Sequence, residues 1–316
     1  MKAAAIDRPG PPSVLKPHEL PVPEPSPNEV LIALHAAGIG VWDVDIRKGW
    51  WPQGRPKYPL VLGVDGAGIV AAVGSRVRRF KVGQRVWAYE FANPKGGFYA
   101  EYVVVNAEHV ARVPRRLDLL QAGAATATAL TALQGIDDTL GLRRGETVLI
   151  FGATGAVGTM AVQFAKRRGA RVIATATGRK AARLVRSLGA DAAFDARAKN
   201  AVARLRELAP ENLDAVLAFA GGDALDRCLD LVGPRGRVAW PNGVEPEPKR
   251  RRRRFKAQGY DAEASPRALA RLDRAVTEAR LKVPIAAKYP LAQAARAHAR
   301  LEDGGVFGRI VLRIGR

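Results

Sequence analysis

The chain has one cysteine, Cys228, so no internal disulfide can form. Its four histidines, His18, His35, His109 and His298, are scattered. No Cys/His metal-ligand spacing results, and no metal site is expected. No apolar run approaches the length of a bilayer span, and the N-terminus meets Asp7, Arg8, Pro9 and Gly10 before an apolar leader could form. The expectation is a soluble protein of a reducing, cytoplasmic compartment with no membrane partner. Gly-x-Ser-x-Gly is absent, which removes the usual serine-hydrolase signature. No internal repeat is visible.

Acidic residues are scarce, 30 Asp and Glu against 51 Lys and Arg, for a formal charge of +21. Such an excess attracts phosphates, so a nucleic-acid partner is a second functional reading. The basic residues divide into 38 Arg and 13 Lys spread along almost the whole chain, which equally fits a compositional bias. The run Lys249 to Lys256, with arginines at 250–254, reads as a solvated edge or as an anion-binding segment.

What is present is ordinary for a globular protein: 47% hydrophobic and 26% charged residues over 316 positions, enough for two domains. From Glu29 to about Val105, short β-like runs are punctuated by glycine, as in Val30–Leu34, Gly66–Val70, Gly83–Ala88 and Ala100–Val105. Before them, alternate prolines over Leu20–Pro27 force an extended connector. After Pro114 the pattern alternates. A helix is expected over Gln121–Gly135, then strands at Thr147–Phe151, Arg171–Ala176, Ala192–Phe194, Asp214–Ala218 and Gly236–Trp240. Helices are expected near 156–168, 179–188, 199–209 and 223–231, giving a doubly wound parallel sheet. The tail adds a helix over Pro266–Ala279, a strand near Ile285–Tyr289, a helix over Leu291–Leu301 and a last strand over Gly308–Ile314.

Gly152-Ala153-Thr154-Gly155-Ala156-Val157-Gly158 follows a buried strand and opens a helix, the place of a dinucleotide phosphate loop. A pyrophosphate needs a tight turn, a bare backbone and a helix N-terminus with free N–H groups. The spacing is G-x-x-G-x-x-G, one residue wider than the usual fingerprint. An NAD-selective site places a carboxylate at the end of the second strand. Here no Asp or Glu occurs between Thr147 and Ala190, and that strand runs into Thr175, Thr177, Gly178, Arg179 and Lys180. Two cations and two hydroxyls there fit a 2′-phosphate, so NADP(H) is expected over NAD(H). Phe219-Ala220 and Asn242-Gly243 end later strands, where open α/β sheets hold ligands, and join the cofactor candidates.

In order and spacing, several motifs resemble the medium-chain dehydrogenase/reductase superfamily, and within it the zinc-free quinone oxidoreductases, NADPH:quinone reductases and ζ-crystallin. They are Ala37–Gly40 with Asp43 and Ile46–Gly49; Leu62–Val70 with Val73-Gly74; Gly83–Val86; Gly97–Tyr102; Leu130–Gln134; the glycine loop; Leu188–Asp191; and Gly308–Leu312. The resemblance implies a GroES-like β-rich catalytic domain from residues 1–120 and 284–316, a Rossmann NADP-binding domain from 121–283, and an active site in the cleft. It also implies a homodimer and hydride transfer from NADPH to a quinone or related activated carbonyl or enone. Where zinc-dependent relatives carry a metal-binding cysteine and a His-Glu pair, this chain has Gly40, Val64 and Asp65, so both metals should be missing. Quinone reductases usually have Asn-Pro at Gly40-Val41, which leaves the acceptor open. An enoyl or alkenal double-bond reductase is the alternative, although no tyrosine stands near Trp50-Trp51 as proton donor.

The resemblance also brings Thr128, Phe307 and Arg309 among the cofactor candidates. Thr128 either bonds the nicotinamide half or its own helix backbone. Arg309 either reaches the cofactor or lies on the surface. Trp42, Trp50, Trp51, Tyr58, Tyr89 and Phe91 are candidates to wall a flat acceptor, the alternative being core or dimer-contact aromatics. Asp43 and Asp45 stand near that pocket or cap a turn, and neither is assigned a catalytic role.

Overall fold

The computed structural model describes residues 1–52, 54–249 and 255–315. In chain order its strands and helices begin with β1 (Lys2–Ile6), β2 (Leu15–Glu19), β3 (Glu29–Ile39), α1 (Val41–Arg47), β4 (Leu60–Val61), β5 (Asp65–Val73), β6 (Arg85–Tyr89), β7 (Tyr102–Asn106), β8 (Val110–Arg112) and α2 (Leu119–Gln134). There follow β9 (Thr147–Phe151), α3 (Ala156–Arg167), β10 (Arg171–Thr175), α4 (Gly178–Ser187), β11 (Ala192–Phe194), α5 (Ala201–Leu208), β12 (Leu213–Ala218), α6 (Asp223–Cys228), β13 (Val232–Pro241) and β14 (Lys256–Tyr260). The chain closes with α7 (Pro266–Glu278), β15 (Ile285–Pro290), α8 (Ala294–Glu302) and β16 (Arg309–Arg313). The proline-spaced connector is irregular, as fixed φ and missing donors require.

Two compact units divide the chain. One holds Met1–Ala127, Ala264–Asp273 and Ile285–Arg316; the other holds Thr128–Glu263 and Arg274–Pro284. The first unit is β-rich. Its larger sheet runs β15-β16-β3-β5-β6-β8 with β7 also paired to β3, and a small sheet runs β2-β1-β4. The tail strand β16 pairs antiparallel with β3, Ile310 opposite Ile39 and Leu312 opposite Ala37. Ile32, Val70, Val86, Phe98 and Leu312 share one buried core. Alternation along β3 is blurred because both of its faces are largely covered.

The second unit is a six-stranded sheet ordered β11-β10-β9-β12-β13-β14, and among the described residues every pairing in it is parallel. Relative to the chain this is the 3-2-1-4-5-6 order of the doubly wound nucleotide-binding fold, whose strand order reverses between β9 and β12. The sixth strand starts at Lys256. The arginines at 250–254, read from the sequence as a solvated edge or an anion-binding segment, lie outside the described residues. The short helix α1 carries no strong periodic signal, being seven residues with four buried side chains that include Asp43 and Arg47.

Close backbone packing in the first unit hangs on Gly68 of β5, where a Cβ would overlap the carbonyl of Ala33 and sit 2.8 Å from the Leu34 Cα. Gly68→Ala should therefore destabilise the protein by about 2–3 kcal/mol through overpacking. A lowered chemical-denaturation midpoint, with a smaller drop for Gly83→Ala, would show it. Gly83 has open space but a φ of +86°, so its cost is local strain alone.

Candidate functional site

In the second unit the glycine loop leaves β9 at Phe151 and enters α3. Gly152 has φ of +78°, a left-handed turn that an L side chain rarely adopts, and its N–H donates to Thr175 Oγ1 at 2.8 Å. At Gly158 a Cβ would lie 2.7 Å from the Ala153 Cα and overlap the Gly152 carbonyl, so α3 can pack on the turn only without a side chain there. Gly155, the N-cap of α3, has extended φ and ψ of −71° and 174°. Its Cβ would meet only the Gly152 oxygen, at 3.5 Å, leaving open space above the backbone. No side chain caps α3 and no acidic residue stands in its first turn, while Lys166 and Arg167 complement the dipole at its far end. Thr154, Ala156 and Val157 are half-buried around the bare backbone. The loop thus offers unsatisfied N–H groups and a positive helix end to an anion, the arrangement that fits a dinucleotide pyrophosphate.

The other cofactor candidates of this unit gather at the carboxyl ends of the same strands. Phe219 N–H donates to Phe151 O at 2.9 Å, and its Cβ would lie 3.3 Å from a Cβ on Gly152, so both stand at the switch point between β9 and β12. Ala220 next to it is exposed. Asn242 follows β13, donates its side-chain amide to Asp261 at 2.8 Å, and precedes Gly243 with φ of +86°. Thr128 is buried in α2 at 2% exposure.

Past β10 the hydroxyls are already engaged. Thr175 accepts from Gly152, and Thr177 Oγ1 donates to Asp195 Oδ1 at 3.0 Å. The partner of the Thr177 hydroxyl in the structure is thus a carboxylate from outside β10. Asp195 follows β11, a strand away in sequence, and scanning the end of β10 alone could not find it. Gly178 has no atom within 4 Å of a Cβ position, and Arg179 and Lys180 are exposed beside it.

In the first unit, three aromatics meet. Trp42 on α1 lies 5.6 Å from Trp50 and 5.5 Å edge-on to Phe91, and Trp50 lies 5.8 Å from Phe91. Tyr58 is on an exposed loop, whereas Tyr89 and Trp51 pack partly against the core. A separate cavity of about 490 Å³ is lined by Trp51, Tyr102, Leu20 and prolines 21, 23 and 59. Trp42, Trp50, Tyr58 and Tyr89 do not line it.

Arg309 does not lie on the surface. It is 5% exposed and its Nη2 donates to Asp65 Oδ1 at 2.8 Å. Asp65, fully buried, also accepts from the Ala127 N–H at 2.9 Å. A Cβ on Gly38 would lie 2.7 Å from Arg309 Nε, and one on Gly40 would lie 3.1 Å from Nη1, so these two glycines make room for the guanidinium. Phe307 is half-buried two residues before. Among the described residues no group of three or more His, Cys, Asp or Glu could hold a metal ion, and Gly40 and Val64 carry no ligating atom.

Asp43 caps α1, accepting from the Gly40 N–H at 2.7 Å, and is fully buried. Burial pushes its carboxyl up to about 7, against the lowering pull of Arg309 and of the Gly40 N–H. Asp65 is raised by burial too, opposed by the same guanidinium. Tyr99 and His298 pair inside the unit, hydroxyl to Nε2 at 3.2 Å, and burial drives His298 down to about 3. Arg47, fully buried, reaches Glu302 at 2.7 Å.

Two family models match: "Alcohol dehydrogenase GroES-like domain" over residues 26–115 and "Zinc-binding dehydrogenase" over 188–312. A quinone oxidoreductase of Pseudomonas aeruginosa is 38% identical over 228 residues, 72% of this chain and 69% of that protein. A crystal structure of an NAD-dependent alcohol dehydrogenase superposes with a TM-score of 0.93 at 33% identity, covering all of both chains. The Escherichia coli quinone oxidoreductase complexed with NADPH superposes with a TM-score of 0.89 at 27% identity, over 99% of this chain and 100% of that one. A GroES-like domain joined to a Rossmann sheet is the architecture of the medium-chain dehydrogenase/reductases. Within that superfamily the chain belongs to the quinone oxidoreductase family.

The Asp43 carboxyl makes stability depend on pH. An unfolded aspartate loses its proton near 3.8, whereas the folded one holds it to about 7. The native state therefore binds the extra proton between those values, and its stability falls as pH rises through that window. In Asp43→Asn this slope disappears. Between pH 5 and 8 the variant should gain about 2 kcal/mol on the wild type. His298, with a shift of the opposite sign, is common to both proteins and cancels in the difference between their urea-unfolding curves.

Proposed function

We propose that the protein is a zinc-independent oxidoreductase that transfers a hydride from NADPH to a quinone or related activated carbonyl or enone. The observation that carries this is the adenosine side of the phosphate loop. The uncapped α3 meets Gly155 with open space above it, and exposed Arg179 and Lys180 follow β10 with no acid between Thr147 and Ala190. The residues present fit the cofactor: Gly152, Thr154, Gly155, Ala156, Val157 and Gly158 for the pyrophosphate, Gly178, Arg179 and Lys180 for the 2′-phosphate, and Phe219, Ala220, Asn242, Gly243 and Thr128 along the strand ends. We retain residues 1–120 with 284–316 as the catalytic domain and 121–283 as the nucleotide domain.

When bound, NADPH supplies the hydride at C4 of its nicotinamide. The chain's own part is to hold and orient. Backbone N–H groups at the start of α3 neutralise the pyrophosphate, and Arg179 and Lys180 meet the extra phosphate as charge-assisted donors. Trp42, Trp50 and Phe91 offer flat apolar faces to a planar acceptor and keep water from it. Reduction of a quinone to its hydroquinone consumes one hydride and one proton, and the proton comes from solvent. No side chain is assigned as general acid. The buried Asp43 and Tyr99 stay with the fold of the first unit.

The double-bond reductase reading shares the cofactor site and differs only in the acceptor. The nucleic-acid reading rests on net charge and on the arginine run at 250–254, and is not favoured by the quinone oxidoreductase relatives. A homodimer is proposed because β14 leaves one edge of the parallel sheet unpaired among the described residues. The cytoplasmic setting is proposed because a single buried cysteine calls for no oxidising compartment.

Titration of cofactor fluorescence tests the reading. NADPH should bind more tightly than NADH, and a panel of quinones and enones should oxidise it. In Arg179→Ala/Lys180→Ala, loss of two charge-assisted bonds should weaken NADPH by about ten- to a hundredfold while leaving NADH within about twofold. Equal weakening of both nucleotides, or no binding of either by the unaltered protein, would refute the site.

A further inference from the structure

We propose that Asp195 is a second specificity-determining residue of the adenosine corner. It acts as the acceptor for a ribose 2′-hydroxyl, so that the protein takes NADH as well as NADPH. The inference rests on the cofactor reading above and deepens it.

In doubly wound nucleotide domains the acid that accepts from the ribose hydroxyl stands at the end of the second strand. This chain has none there. The parallel register instead delivers one from the neighbouring strand. Thr175 of β10 lies opposite Phe194 of β11, and the Ala176 N–H donates to Phe194 O at 2.8 Å. One residue further, Asp195 reaches back to Thr177, whose hydroxyl donates to Oδ1 at 3.0 Å. The Arg197 N–H donates to the same oxygen at 2.9 Å. The carboxylate is thus fixed at the carboxyl end of β10, half-buried, through one oxygen. No hydrogen bond among the described residues reaches Oδ2. Gly178, next to Thr177, has nothing within 4 Å of its Cβ position.

Two chemistries therefore converge on one corner. Arg179 and Lys180 favour a phosphate on the 2′-oxygen, and Asp195 favours a hydroxyl there while repelling the phosphate. Among the described residues neither cation makes a salt bridge to Asp195, so the acid is not neutralised by the residues it would oppose. The consequence is a compressed preference. NADPH is bound more tightly than NADH, but by less than the two cations alone would give.

Asp195→Asn keeps the acceptor oxygen that holds Thr177 and Arg197 and removes the charge. It should tighten NADPH by about threefold to tenfold, as expected for one like charge several ångströms away at a wet site. NADH should weaken or stay unchanged, so the ratio of the two dissociation constants rises. Calorimetry with 2′,5′-ADP against 5′-AMP reads the same corner without the nicotinamide half and should show the same change in ratio, fading at high salt. Thr177→Val, which unties the carboxylate without removing it, should move the ratio in the same direction by a smaller factor. A ratio unchanged in Asp195→Asn, or equal shifts for both nucleotides, would overturn the proposal. If Arg179→Ala/Lys180→Ala still loses NADPH selectively, only the role of Asp195 falls. If that variant also leaves the ratio unchanged, the reading of the corner as a 2′-phosphate site falls with it.

Discussion

The catalytic unit depends on one buried carboxylate. Asp65, without solvent contact, accepts from the guanidinium of Arg309 and from the backbone of Ala127, joining three parts of the chain separated by 62 and 244 residues. A charge so buried is tolerable only when paired and hydrogen-bonded. Glycine at 38 and 40 leaves the volume the guanidinium fills, and β16 lies against β3 in the register this pair requires. A Cβ at Gly40 would crowd Arg309 Nη1. The unit keeps a dense polar interior in which Asp43 caps α1 and Tyr99 meets His298.

The nucleotide unit relies on missing atoms more than on present ones. Gly158 lets α3 touch the turn, Gly152 takes a left-handed bend, and Gly155 leaves its backbone bare. Each glycine answers a different need: close packing, turn geometry and ligand approach. The absence of a capping side chain completes the logic. A serine or aspartate cap on α3 would satisfy the N–H groups that an anion is to meet.

Electrostatics at the two functional regions contrast. In the β-rich unit charges are buried, paired and structural. In the parallel-sheet unit Arg179 and Lys180 are exposed and stand at a strand end. The large arginine excess has mixed employment: Arg167 and Arg168 pair with Asp137, Arg237 with Glu146, and Arg47 with Glu302. Net charge by itself is therefore a poor guide to a binding face, because a pair buried in one unit and a cation waiting at a ligand corner count alike.

Local pattern was enough for the parallel-sheet unit. Its strands are short apolar runs, its helices are amphipathic, and the glycine loop needs only neighbours in sequence, so β9, α3, β10 and the bare turn between them could be read directly. The glycine-punctuated β-like runs of β3, β5, β6 and β7 were legible for the same reason. Other features were settled by packing. The helix α1 is too short to announce itself by periodicity, and Arg309 could be seen as buried only once β16 was set beside β3. Asp195 joins Thr177 because a parallel register, which no run of residues encodes by itself, aligns two strand ends. Sequence by itself determined the phosphate loop and the alternation that builds the sheet, since those depend on residues within a few positions of one another. Tertiary structure decided which charges are buried in pairs and which stay exposed at a strand end, since burial and proximity across 62, 244 or 18 residues exist only in the folded chain.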